Sequence, residues 1–315
     1  MKNSIKIAFF SLLSISFFSC EKEVEIDIDE EEQKLVLNTW LKPNESPEVQ
    51  ISYSSFIFNK RGTGFIDNAR VLIFEDGIEM GELNHINQGF YNNESIELKA
   101  GSNYEFEVLH DDYQRISSTE KIPSNLQDNE VEIAYEINPN GSYSSNSYNT
   151  TVTIKIQDDG NEENYYLARV AQRTTYWNMG DEDTTSVRNF VYLEPIDPQT
   201  QDTYLPNSGG HFILSDDIFN GKEYEMKLGA YNDLRSYESI SDDSTYYQAT
   251  NYEIEFHKIN RALYLYLITI DNNQYPGPFT EPTQMYSNIE NGYGIFATSS
   301  YTTYIIEEPN DSWYY

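Results

Sequence analysis

The sequence predicts a mainly β protein built of two β-sandwich-like modules, the second carrying one helix. Three observations carry that expectation. Short β-branched or aromatic runs, several of them alternating, recur along the chain between Gly, Asn, Asp and Pro. Tyrosine, a good strand former whose ring packs on a sheet while its hydroxyl reaches water, occurs 27 times, a number that also admits stacking platforms for sugars. One stretch alone departs from the pattern: in His257 to Ile270 the residues Ile259, Leu263, Tyr266 and Ile270 fall on a helical stripe.

Taken in order, Met1 to Lys6 carries two lysines and no acid, and Ile7 to Phe18 is apolar apart from small serines. Such a run covers roughly 18 Å as a helix, short of the ~30 Å hydrocarbon core, so residues 1–19 read as a signal peptide and not as a spanning helix. Phe17-Phe18-Ser19-Cys20 resembles a lipobox, the motif cut by signal peptidase II before a cysteine already alkylated by diacylglycerol. Cys20 is the only cysteine in the chain, so no internal disulfide competes for it; a free thiol or an intermolecular disulfide is the alternative. The resemblance implies acylation of Cys20, palmitate included, and an effectively permanent attachment to the lipid bilayer.

Residues 20–33 form an acidic tether in which Lys22 is the single base between Glu21 and Glu32. Like charges at this density repel and extend. An acidic stretch directly after the cysteine also resembles the signal that sends Bacteroidota lipoproteins to the cell surface, so the expected place is the outer membrane, lipid-anchored and facing the exterior. Without its first 19 residues the chain keeps 18 basic against 52 acidic side chains, a formal charge of −34. That field repels phosphate, which excludes nucleic acid as a natural partner.

The first module is expected over 34–123. Leu35-Val36-Leu37, the segment around Ile51 to Phe58, Val71 to Phe74, Phe90-Tyr91, Asn103 to Leu109 and Ile116 to Pro123 read as strands. The order of Ala69, Val71 and Ile73, then Gly89-Phe90-Tyr91, then Leu98, Gly101, Tyr104, Phe106 and Val108 resembles the transthyretin-like or carboxypeptidase-regulatory type of β-sandwich. The second module, 124–315, has strands at Val131 to Ile137, Thr151 to Ile156 and Asn251 to Phe256, besides the helix. Its stretches Phe212 to Lys222 ("FILSDDIFNGK") and Phe279 to Phe296 ("FTEPTQMYSNIENGYGIF") resemble signatures of the domain-of-unknown-function 4249 family. The latter stretch reads locally as a hairpin turn, with a binding loop of Asn288, Glu290 and Asn291 as the alternative.

No catalytic constellation is legible. His85, His110, His211 and His257 are scattered, no HExxH occurs, and Ser208 to His211 lacks the G-x-S-x-G elbow. With Cys20 the sole thiol, no thiolate metal site or thiol nucleophile can be built. The sequence therefore predicts no enzyme and no resident cofactor. Calcium has the best case among cofactors, because Asp158 to Asn164 and Asp181 to Asp183 gather oxygen ligands, although solvated loops explain both. Asp183-Thr184-Thr185 and Asp243-Ser244-Thr245 resemble O-glycosylation sites of Bacteroidota. Family resemblance implies a lipoprotein whose gene often lies beside TonB-dependent transporters. The expected function is accordingly that of an accessory subunit of an outer-membrane β-barrel, helping in ligand capture, gating or complex stabilisation. The alternative is a free-standing glycan-binding or adhesion module that uses its tyrosines.

Overall fold

Alternation of buried and partly exposed side chains along Leu35–Leu41 places Leu35, Leu37 and Leu41 on one face, which makes this segment a strand half-committed to a core. The same rule builds most of the molecule. The computed structural model describes residues 32–55, 64–127, 129–137, 148–178, 184–197, 204–205, 211–231, 234, 237–240, 246–274 and 284–306. The first strands are β1 (Leu35–Leu41), β2 (Glu48–Tyr53), β3 (Arg70–Glu75), β4 (Ile78–Asn87), β5 (Phe90–Asn92), β6 (Asn103–His110) and β7 (Tyr113–Lys121). They are followed by β8 (Val131–Ile137), β9 (Thr150–Gln157), β10 (Tyr165–Asn178), β11 (Thr184–Val191), β12 (Glu194–Pro195), β13 (Tyr204–Leu205) and β14 (His211–Ser215). The last elements are β15 (Glu223–Ala230), β16 (Tyr237–Ile240), β17 (Tyr246–Ile259), α1 (Arg261–Gln274) and β18 (Tyr293–Ile306). The protein is mainly β with one α-helix among the described residues, in a sandwich-like arrangement of two sheets.

Hydrogen bonding runs continuously through β13-β14-β10-β17-β18-β1-β2-β5-β4-β3-β6-β7. In the N-terminal part β4 pairs with β3 through Leu83 and with β5 through Asn84 to Asn87, so one strand serves two layers. Those layers close on a single core: Leu35, Leu37, Val49 and Ile51 pack with Val71, Ile73, Phe106 and Ile116. Ile289 and Phe296 complete this core from the far end of the chain, with the Phe106 and Phe296 rings 5.1 Å apart. Residues Gln33–Tyr315 form one compact unit.

The second core lies between the four-stranded sheet β12-β15-β9-β8 and the inner face of β10, β14 and β17. Val152, Ile154, Met226 and Leu228 meet Ala168, Val170, Phe212 and Phe256 there. The opposite face of β10 and β17 turns Leu167 and Ile259 to α1, where Ala262 and Leu263 cover them. Period-two alternation thus gives β10 and β17 two covered faces near α1, and that second face holds the site described below.

The helix starts later than its sequence stripe suggests. His257 to Ile259 end β17, and Asn260 caps α1 by accepting the Leu263 N–H at 3.1 Å through Oδ1. Since Asn260 Oδ1 also accepts the Thr298 N–H at 3.2 Å, the strand-to-helix corner is pinned to β18, and the helix runs on to Gln274.

"SNIENGYGIF" is a correction of another kind. It opens no hairpin, because β18 lies parallel to β1 and antiparallel to β17. Asn288 imitates a neighbouring strand: its Oδ1 accepts the Phe296 N–H at 2.9 Å and its Nδ2 donates to the Phe296 carbonyl at 2.9 Å. The Glu290 N–H donates to the Ser117 carbonyl at 2.8 Å, and Asn291 supplies a positive φ of 61°. Asn288 and Glu290 are thus spent on tying the segment to β18 and β7, and Asn291 on the bend between them.

Candidate functional site

On the helix-bearing face, alternation aims Arg169 of β10 and Glu255 of β17 toward the same side, because the two are register partners in the antiparallel pair. Both are buried, as is His257 two residues along. Arg169 Nε donates to Glu255 Oε2 at 2.7 Å, and Arg188 of β11 contacts the other carboxylate oxygen. Cation–π contacts hold the Arg169 guanidinium, whose Cζ lies 4.3 Å from the Phe190 ring centroid and 5.2 Å from that of Trp40.

The protons of the adjoining relay follow from donor chemistry. Trp40 Nε1–H can only donate, and it does so to Ser299 Oγ at 2.8 Å. The Ser299 hydroxyl then donates to His257 Nδ1 at 3.4 Å, which leaves the ring proton on Nε2, 3.3 Å from Glu255 Oε2. This serine–histidine–glutamate order resembles a hydrolytic triad in polarity, yet its parts are differently placed. Ser299 is fully buried and already accepts from Trp40. Burial, reinforced by Arg169, Lys42 and Arg188, holds the His257 pKa well below its ordinary value, so the ring is a poor proton acceptor. The arrangement is suited to holding charge and not to attacking a carbonyl.

Positive charge is in excess on this face. Arg169, Arg173 and Arg188 stand on the two carboxylates of Glu253 and Glu255, and Lys42, itself paired with Glu45, adds its field at His257, in a chain whose net charge is −32. Burial and Arg188 lower the Arg169 pKa to about 10, which leaves it charged at neutral pH. Of the histidines, His211 reaches the same neighbourhood: its ring centroid lies 5.5 Å from that of Phe190, and Nδ1 is buried without a partner among the described residues. Burial first, and then the charges of Arg169 and His257, push its pKa down to about 4. The rim is open, with Phe190 at 40% and Tyr301 at 43% exposure. The sequence reading missed this cluster because its members are scattered in number; the alternation of Glu253, Glu255 and His257 on one strand was the available signal.

The calcium candidates fare differently. Asp158 is buried, and its carboxylate accepts four hydrogen bonds, from Asn164 Nδ2 and the Tyr166 hydroxyl at 3.0 Å each and from the Gly160 and Gly221 amides at 3.0 and 2.7 Å. The "FILSDDIFNGK" stretch is thereby explained, since Gly221 delivers its N–H to Asp158, and Asp216 Oδ2 accepts the Asn164 N–H at 2.7 Å. Asn164 Oδ1 is buried without a partner among the described residues and belongs to a residue bordering a cavity of about 10 Å³, room for one water-sized molecule. Among the described residues no group of three or more His, Cys, Asp or Glu is placed to hold a metal. Asp158→Ala is expected to cost about 2–3 kcal/mol in chemical denaturation, because buried donors lose their acceptor. EDTA should leave the melting temperature of the unmodified protein unchanged; a fall on chelation would show that a cation shares the loop. Cys20, the tether as far as residue 31, Asp181 to Asp183 and Asp243 to Thr245 lie outside the described residues. Among the described residues no helix is long and apolar enough to cross a membrane.

Fold and site define a class: a mainly β, sandwich-like protein with a charged, aromatic-clamped cluster set into the helix-bearing face of its larger sheet. The family model described as Domain of unknown function (DUF4249) matches residues 21–305, and the chain belongs to that family. No curated protein matches the sequence. Among solved structures, a beta-glucuronidase from glycoside hydrolase family 2 is similar at 6% identity and a TM-score of 0.21, over 84% of this chain and 22% of that one. A Bacteroides uniformis beta-glucuronidase is similar at 8% identity and a TM-score of 0.19, over 72% of this chain and 30% of that one. Bacteroides uniformis beta-glucuronidase 2, covalently bound to cyclophellitol-6-carboxylate aziridine, is similar at 7% identity and a TM-score of 0.19, over 70% and 30%. The chain spans less than a third of each of these proteins, and likeness at this level carries no argument about its chemistry.

Proposed function

We propose that the protein is a surface-exposed outer-membrane lipoprotein that serves a TonB-dependent transporter or another outer-membrane barrel as an accessory subunit, using the cationic face of its larger sheet to capture ligand. The observation that carries the reading is Cys20, a lone thiol where an apolar run meets an acidic one, in the setting a lipid anchor requires. An anchored chain with a local excess of guanidinium groups is equipped to hold something near a membrane. The half-exposed Phe190 and Tyr301 beside that cluster also favour the second reading, a free-standing glycan-binding or adhesion module.

Two measurements separate these. Cys20→Ala is expected to move the protein from the membrane fraction to the soluble one or to leave its leader uncut; unchanged fractionation and processing would end the lipoprotein reading. Pull-down from mildly solubilised membranes is expected to recover a large β-barrel in stoichiometric amount. A chain that comes down without a barrel and binds polysaccharide alone would favour the second reading.

A further inference from the structure

Arg169 is 93% buried by its 7% exposure. The hydrogen bond of its guanidinium to a described residue comes from Nε, and Nη1 and Nη2 are not among the buried side-chain atoms left without a partner, so that edge reaches solvent. Its Cζ lies over both the Phe190 ring, at 4.3 Å from the centroid, and the Trp40 ring, at 5.2 Å, and these two contacts limit how far the guanidinium can move. Arg188, 43% exposed at its side chain, stands on the same carboxylate and brings a second guanidinium to the rim. His211 Nδ1, buried without a partner among the described residues, adds a polar atom next to Phe190. Charge, a guanidinium edge open to solvent and a flat aromatic wall coincide at one place in an acidic protein.

We propose that this cluster is a binding site for a small carboxylate-bearing molecule, whose planar anion takes the free edge of Arg169 with help from Arg188 while an adjoining ring or flat apolar portion lies against Phe190. A guanidinium edge pairs with two oxygens of a carboxylate or of a tetrahedral oxyanion alike, and the exposed aromatic surface of Phe190 beside it favours an anion carried on a flat apolar group, which a carboxylate-bearing molecule supplies. Glu255 is the built-in limit on charge: it neutralises one guanidinium and leaves the pair with the capacity for one further negative group. The proposal rests on reading this face as a capture surface and does not depend on which barrel, if any, the chain accompanies.

The test titrates the mature, detergent-solubilised protein with benzoate by calorimetry and by thermal unfolding, with neutral benzamide and inorganic sulfate as comparisons. Benzoate should bind once per chain and raise the melting temperature, benzamide should do neither, and sulfate should bind more weakly than benzoate. Arg188→Gln, at a side chain 43% exposed, should weaken benzoate at least about tenfold, the loss of one charge-assisted hydrogen bond, with an unfolding curve showing that the variant is folded. Arg115→Gln removes the same charge from β7, where Arg115 pairs with Glu107, and should leave benzoate affinity unchanged. Absence of benzoate binding at tens of millimolar overturns the proposal, as does an equal loss in the two variants, and sulfate binding tighter than benzoate overturns the carboxylate assignment. A failed pull-down with intact benzoate binding removes only the barrel partner; a recovered barrel without benzoate binding removes only the ligand class.

Discussion

Glu255→Ala is expected to lower the stability of the protein by about 3–5 kcal/mol, because it removes the carboxylate that makes two close guanidiniums tolerable inside the sheet. Arg169 and Arg188 both reach Glu255, but their freedom differs: the Arg188 side chain is 43% exposed and can turn to water, whereas that of Arg169 is 8% exposed and cannot. With the carboxylate gone, Arg169 keeps its charge in a buried position beside a second cation, and His257 loses the acceptor of its Nε2 proton. Glu255→Gln keeps the volume and one acceptor oxygen, so its loss should be smaller. The measurement is a urea or guanidinium unfolding midpoint at unchanged slope. A loss under about 1 kcal/mol for Glu255→Ala would mean that water already shares the cluster, as in an ordinary surface ion pair.

Gly294→Ala is expected to cost about 3 kcal/mol or more. Gly294 has φ of 110°, a conformation that L side chains rarely adopt, and an added Cβ would stand 2.0 Å from the Leu37 carbonyl oxygen. That oxygen belongs to β1, which pairs with β18 in parallel from Val36↔Tyr293 to Leu41↔Thr298. Relief would require the two strands to part at the seam where the N-terminal and C-terminal strands share one sheet, with Phe296 two residues away in the first core. Gly77→Ala supplies the comparison: its φ is 82°, and nothing lies within 4 Å of the added carbon, so only the backbone penalty of about 1–2 kcal/mol applies. Equal losses for the two variants in thermal or chemical denaturation would show that the approach to Leu37 is not what demands glycine at 294.

Much of the strand pattern was legible because period-two alternation is local. Val131 to Ile137 is β8 to the residue, and Thr151 to Ile156 differs from β9 only by one residue at each end. The stripe in His257 to Ile270 announced a helix, but its first three residues are strand. Ile259 packs with Leu263 in the same cluster from either side of Asn260, so spacing alone merged two elements that a cap separates. The hairpin reading of "SNIENGYGIF" failed for a different reason: Asn291 and Gly294 do adopt the positive φ that a turn uses, while the partner that receives the segment is β1, more than 250 positions earlier.

By itself the sequence determined the alternation that makes strands, the amphipathic helix, the acidic charge of the whole, and the singular place of Cys20. These properties depend on neighbours within a few residues or on composition, which is why they can be read without coordinates. Only the tertiary structure decided that β18 would close the sheet against β1, that Asp158 would spend its carboxylate on the Gly221 turn, and that Arg169, Arg188 and Trp40 would converge on Glu255 and His257. Each of those outcomes joins residues tens to hundreds of positions apart. The physical reason is that strand pairing and burial are selected by the whole core at once, and a charged residue becomes a site only when the sheet removes it from water beside another.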